Sequence, residues 1–181
     1  MKYILFTLAL IVYLAGTAQE PRYQTYSTAL TVLGTKNDTD IEWTNKNINI
    51  VLNYKTGDFK ATLKESDFAN STKKNNQENL NMFGDGNVFT LTGIFPINEL
   101  LNQQQTTASY SIELQLQNED GSLFESILFN TSVTKPGEGQ LNYRIFVLTG
   151  TLQKQEFDLP VFEGMDNELS IKLFFNSYWQ N

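Results

Sequence analysis

From residue 27 onward, apolar side chains recur at every second position, and that rhythm restricts the chain to extended strands with one greasy face. Ile48, Ile50, Leu52 and Tyr54 share one side, while Asn47, Asn49 and Asn53 take the other. The tetrapeptide Lys55–Asp58, KTGD, then turns the chain, and Phe59, Ala61 and Leu63 resume the pattern. Tyr110, Ile112, Leu114 and Leu116 alternate with Ser109, Ser111, Glu113 and Gln115. The turn Asn118–Ser122, NEDGS, separates that run from Leu123–Val133, and Thr134–Gly139, TKPGEG, separates the next pair. Leu141, Tyr143, Ile145 and Val147 follow, and Leu169, Ile171, Leu173 and Phe175 close the series. Alternation punctuated by turn residues predicts an antiparallel meander.

Weaker runs at Thr28–Leu33, Thr39–Trp43, Val88–Phe95 and Glu156–Val161 bring the expectation to about eight to ten strands. Ser66–Phe83, rich in Asn, Gln and Lys, reads as a long polar loop. Pro96 stands where a first helical turn accepts proline, with Ile97, Leu100 and Leu101 at helical spacing, so one short helix is expected there. So many strands with so little helix must deal with their edges, by closing into a barrel or by packing two sheets. Apolar residues on both faces of Leu123–Phe129 and Ile145–Leu148 favour an up-and-down antiparallel β-barrel. The second apolar face then needs cover from a helix, a loop or a partner subunit, and a homodimer would supply it. A β-sandwich is the alternative.

The first residues, MKYILFTLALIVYLAGTA, place one lysine before an apolar run from Tyr3 to Leu14 and small residues after it. This is the anatomy of a cleavable export signal, 1–18, cut after Ala18, which leaves 19–181 as one domain. The run is shorter than the roughly 20 residues of a membrane span, so no span is expected after cleavage. The mature part is expected in the periplasm or secreted. Cysteine is absent, which rules out disulfide staples and a lipid-anchored lipoprotein. Removing Lys2 with the signal leaves 12 of the 13 basic side chains against 20 acidic ones, a net charge of −8. An acidic surface repels a phosphate backbone, so nucleic acid is not an expected partner.

Histidine is absent too, which removes the commonest general base and metal ligand. With no thiol and no Gly-x-Ser-x-Gly, the common nucleophilic hydrolases have no machinery here. A carboxylate-only glycosidase needs two acids, and Glu113, Glu125 and Asp158 lie on expected strands. Glu113 falls on the polar side of its strand. Asn37–Glu42, NDTDIE, offers oxygens at alternate positions but lacks the glycine and distal glutamate of a calcium loop. No metal, cofactor or catalytic residue is therefore expected, and the chain reads as a non-enzyme.

What remains is the inner face. An eight-stranded barrel has room either for its own side chains or for one small ligand. Tyr110, Ile112, Leu114, Tyr143, Ile145, Ile171 and Leu173 are the expected lining, with tyrosine hydroxyls as polar handles.

The layout NINIVLNYKTGDFKATL, then FTLTGIFPI, then LTGTLQKQEFDLPV and a closing ELSIKLFF, resembles the YceI-like family. Gly150, Leu152, Phe157, Leu159, Pro160 and Val161 match that family's late hairpin, whereas its turn glycine is missing and QKQE makes the connection shorter. The resemblance implies a lipocalin-like barrel in the periplasm around a long isoprenoid or fatty chain. On that basis the expected function is sequestering an apolar, lipid- or isoprenoid-like small molecule. The alternative is an extracytoplasmic interaction module with a filled core, meeting a protein or glycan through Trp43, Tyr178 and Trp179.

Overall fold

The computed structural model describes residues 25–70, 87–137, 143–154 and 164–178. Ten strands run through them: β1 (Thr25–Lys36), β2 (Thr39–Asn45), β3 (Asn49–Leu52), β4 (Asp58–Lys64) and β5 (Phe68–Asn70). After these come β6 (Val88–Ile94), β7 (Thr107–Gln117), β8 (Leu123–Thr134), β9 (Tyr143–Gln153) and β10 (Glu168–Tyr178). A helix α1 (Ile97–Leu101) follows β6, and a 3-10 turn (Glu65–Asp67) joins β4 to β5. The expected short helix is present at Ile97–Leu101. Of the expected polar loop Ser66–Phe83, Ser66–Asn70 belong to the 3-10 turn and β5, and the remainder lies outside the described residues.

Every pairing among these strands is antiparallel, and the ladders run in the order β3-β4-β6-β7-β8-β9-β10-β1-β2-β5. The two ends of that order are not free edges. Only Lys46–Ile48 separate β2 from β3, and only the 3-10 turn separates β4 from β5. Each pair is one strand with a corner in it, and the two bent strands lie side by side, Asn45 opposite Phe68 and Asn49 opposite Thr62. Counted this way, eight up-and-down segments form a ring that starts at β1 and returns to it through β10. The sheet closes on itself, which sets the sandwich aside.

Asn45 holds the corner. Its Nδ2 donates to Lys64 O at 3.0 Å, and its Oδ1 accepts from Asn47 N at 2.8 Å. The side chain thereby occupies backbone groups that the bend removes from the ladder. Across the seam, Thr28 Oγ1 donates to Ile48 O at 3.2 Å and Thr25 Oγ1 to Ile50 O at 3.2 Å. These bonds reach β3 from a part of β1 distorted by a bulge between Tyr26 and Ala29, where Ser27 has φ of 54°.

The turns obey local chemistry. Asn53 Oδ1 accepts from Lys55 N and Thr56 N, and Gly57 takes φ of 86°, closing the β3–β4 turn. Asn118 Oδ1 accepts from Asp120 N, Asp120 Oδ1 from Ser122 N, and Gly121 takes φ of 83° between β7 and β8. The two turns mark opposite ends of the barrel. At the α1 end lie the β3–β4 turn, α1 and the start of β9. At the other end lie the β1–β2 turn and the β7–β8 turn. Glu156–Val161, an expected strand, lies outside the described residues. The hairpin partner of β9 is β10, in register from Tyr143↔Tyr178 to Gln153↔Glu168.

Candidate functional site

The inner face of the barrel is apolar on every strand. Leu30 and Val32 of β1, Ile50 and Leu52 of β3, Ala61 and Leu63 of β4, and Leu91 of β6 are all buried. So are Ile112, Leu114 and Leu116 of β7, and Leu169, Ile171, Leu173 and Phe175 of β10. At the α1 end four phenylalanines meet across this space. Phe146 and Phe175, direct partners on β9 and β10, stack with centroids 4.5 Å apart. Phe59 and Phe95 lie 4.9 Å apart and pack on Phe175 at 5.7 and 6.4 Å.

Of the expected lining, Ile112, Leu114, Ile171 and Leu173 face inward and are buried, Leu114 and Leu173 with no accessible surface. Tyr110 also faces inward and is half-buried against the core. Tyr143 and Ile145 do not join them. Along β9 the buried positions are Arg144, Phe146 and Leu148, so Tyr143, Ile145 and Val147 occupy the outer face. This strand is apolar on both sides, and the expected register is the one that keeps Arg144 out of the interior. The fold takes the opposite register and buries the arginine instead, because the stacked Phe146–Phe175 pair fills more of the interior than Ile145 would. Trp43, expected as an exposed aromatic, is buried at 5% exposure on the inner face of β2, while Tyr178 is exposed and Trp179 lies outside the described residues.

A set of polar groups sits where α1 covers the barrel. The β6–β7 ladder stops at Gly93↔Leu114, so Thr107–Glu113 of β7 pair only with β8. α1 follows β6 there with Ile97 and Leu100 buried, Ile97 beside Gly57 of the β3–β4 turn. Gln103 pins the segment after α1, its Nε2 donating to Gln105 O at 2.8 Å and to Val133 O at 3.2 Å. Beneath this cover, Arg144 is 6% exposed and its Nη1 donates to Tyr143 O at 2.9 Å. Ser177, its direct partner on β10, is fully buried. Thr131, the partner of Tyr110 on β8, is also buried. Among the described residues, Gln103 Oε1, Thr131 Oγ1 and Ser177 Oγ find no hydrogen-bond partner. Burial, first, and the Glu99 carboxylate push the Tyr110 phenol above its ordinary pKa, while the Arg144 guanidinium pulls it down. Tyr110, Glu99 and Arg144 therefore share one electrostatic neighbourhood. Sequence reasoning missed Arg144, Thr131 and Ser177; Ser177 was readable, in step with Leu173 and Phe175 on a strand with one apolar face, whereas β8 and β9 are apolar on both faces and hide the other two.

On the outside, a shallow groove of about 290 Å³ crosses β7, β8 and β9, walled by Ser109, Ser111, Asn130, Ser132, Thr149 and Val147. Glu113 is exposed on that outer face and accepts from the Ser126 hydroxyl. Among the described residues no group of three or more His, Cys, Asp or Glu could hold a metal ion, and no helix is long and apolar enough to cross a membrane.

No protein-family profile and no curated protein matches the sequence. Solved structures do match in shape. A polyisoprenoid-binding domain from Saccharophagus degradans implicated in plant cell wall breakdown superposes with a TM-score of 0.68 at 8% identity. That likeness covers 88% of this chain and 98% of that one. BcnA of Burkholderia cenocepacia superposes with a TM-score of 0.54 at 12% identity, covering 82% and 95% of the two chains. The YceI-like resemblance thus holds at the level of the fold.

Proposed function

We propose that this chain is an exported, non-enzymatic binding protein of the YceI-like kind that holds an apolar, lipid- or isoprenoid-like molecule inside its barrel. One observation carries the reading: a closed ring of eight strand segments presents a largely apolar inner face, in a fold shared with a domain that binds polyisoprenoids. Burial of a ligand's chain on that face supplies about 25 cal/mol per Å² before ordering costs. Leu114 and Leu173 have no accessible surface, so a ligand has to part side chains that touch one another. Signal cleavage after Ala18 and a periplasmic or secreted location belong to the same proposal.

The test is solvent extraction of the purified mature chain followed by mass spectrometry. A stoichiometric lipid-like molecule is expected. A chain that yields none, and that binds neither a hydrophobic fluorescent probe nor a long-chain alcohol, overturns the reading.

The enclosure of Leu114 and Leu173 also favours a second reading, a filled barrel that works as an interaction module through its outer face. Among the described residues Ile94, Leu128, Val51, Tyr178 and Leu33 are the large apolar side chains exposed there, Ile94 most of all at 70%. Retention of a specific protein or glycan by the chain, lost on Tyr178→Ala with the fold intact, would select it.

A further inference from the structure

We propose that the first half of β7, Thr107–Glu113, is a self-pairing edge through which two copies of this chain join their sheets around a two-fold axis. Its role does not depend on what the barrel holds.

The edge follows from register. Lys135 N donates to Thr106 O at 2.8 Å, directly before the paired run from Thr107↔Thr134 to Ile112↔Phe129. Antiparallel ladders alternate bonded and non-bonded pairs, so the even positions of β7 exchange their backbone bonds with β8. Odd positions turn theirs the other way. Gln117 and Gln115 meet Thr90 and Thr92 of β6 there, but that ladder stops at Gly93↔Leu114. Glu113, Ser111, Ser109 and Thr107 continue the series with no strand opposite them. Among the described residues no other backbone group bonds to them on that side. The chain leaving β6 turns elsewhere: Phe95 N donates to Gly57 O, and Ile97 of α1 stands beside the same turn. All four edge residues have exposed side chains.

Such a row of backbone donors and acceptors is a template for another strand, and proteins that must stay apart guard it with lysine, proline or a bulge. No guard stands here. Asn102–Ile112, NQQQTTASYSI, carries neither charge nor proline, and the β7–β8 register is unbroken as far as Leu116. Guards of this kind act first against a second copy of the same chain. Two copies that each carry a net charge of −7 approach most closely where charge is missing, and this edge is such a place.

The edge also suits itself across a two-fold axis, as an interface between identical subunits must. With the axis at Tyr110, Ser109 lies opposite the partner's Ser111, and Thr107 opposite the partner's Glu113. Each pair joins two odd positions, which can exchange two backbone hydrogen bonds. Serine hydroxyls then meet across the seam, and Thr107 can donate to the partner's carboxylate. The two Glu113 carboxylates stand about 20 Å apart along the seam, beyond the screening length of roughly 8 Å at physiological salt.

The test is sedimentation equilibrium of the purified mature chain from micromolar to near-millimolar concentration, with amide hydrogen exchange at both extremes. A monomer–dimer equilibrium is expected. Concentration should protect the amides of Thr107, Ser109, Ser111 and Glu113, whereas Ala108, Tyr110 and Ile112, already bonded to β8, should be protected throughout. Ser109→Pro removes a donor that faces the partner and none that faces β8, and Ser111→Lys installs the missing guard. Each should weaken the dimer about tenfold or more, and Ser111→Lys keeps the test valid if the proline variant fails to fold. Thr151→Lys makes the same charge change on the outer face of β9, between paired strands, and should leave the dimer constant unchanged. A chain that stays monomeric overturns the proposal, as does a dimer indifferent to both edge variants. Protection of the odd amides that appears only with an added extended peptide, on a chain still monomeric, assigns the edge to another partner and overturns it too.

Discussion

Leu114 occupies the space that a side chain at Gly93 would need: a Cβ built there would stand 2.5 Å from Leu114 Cδ2 and 2.7 Å from Glu113 O. The two residues are ladder partners, the last pair before β6 and β7 part. The missing side chain on β6 therefore lets a leucine from β7 reach the barrel axis at the point where α1 takes over the wall.

Gly93→Ala should accordingly destabilise the chain by about 1–3 kcal/mol through overpacking, because one of the two clashing atoms belongs to the backbone. Gly121→Ala is the contrasting change. Its Cβ meets nothing within 4 Å, and only the positive φ of 83° opposes it, at about 1–2 kcal/mol. Urea midpoints of the two variants should show a larger loss and a perturbed β6–β7 amide pattern for Gly93→Ala alone.

Phe175→Ala should cost about 3–5 kcal/mol, the range for emptying a large aromatic from a close-packed interior. Phe175 touches Phe59, Phe95 and Phe146, so the loss is shared by β4, β9, β10 and the link between β6 and α1. Phe175→Leu should recover a substantial part of it. Equal urea midpoints for the Ala and Leu variants would contradict this account.

Much of this architecture is written in the alternation of the sequence, because a strand with one apolar and one polar face admits a single register against the core. Tyr110–Leu116 and Leu169–Phe175 are of that kind, and their inward residues follow from spacing alone. β9 is not. Its segment Tyr143–Leu148 offers two apolar faces, and the preference for keeping an arginine in water selects the register that the fold rejects. The arginine can go inside because Tyr143 O takes one of its donors and because the packing gained by Phe146 sits two residues away. Closure of the sheet is also only partly legible, since the corner at Asn45 depends on a side chain capping the backbone of a strand 19 residues later.

Asn45→Ala should lower stability by about 1–3 kcal/mol, as Lys64 O and Asn47 N lose their partners in a buried place. Asn45→Asp keeps the acceptor for Asn47 N but loses the donor to Lys64 O, so it should not restore wild-type behaviour. Hydrogen exchange should show faster opening of β5 and the 3-10 turn in both variants, with β8–β9 unchanged.

Two groups give the chain opposite pH sensitivities. Tyr110 holds its proton more tightly when folded, so its contribution is complete below the unfolded tyrosine pKa of about 10 and fades as pH rises through the folded value. Asp120 behaves in reverse. The Ser122 backbone N–H, and then the Ser122 and Asn118 side chains, hold its carboxyl below the usual carboxylate range. Its contribution is present above about pH 3.9 and is lost as pH falls through the folded value. Tyrosinate absorbance of wild type against Tyr110→Phe, and carbon chemical shifts of Asp120 in acid, check the two directions.

The ring is fastened where β1 meets β10, with Thr25 beside Ser177 and Leu33 beside Ser170. Eight strands, β2 to β9, separate those partners along the chain, so the cylinder can close only once β10 is available to pair with β1. Such a molecule should fold slowly, with β6–β9 assembling early as a curved sheet and the first strand docking at the end.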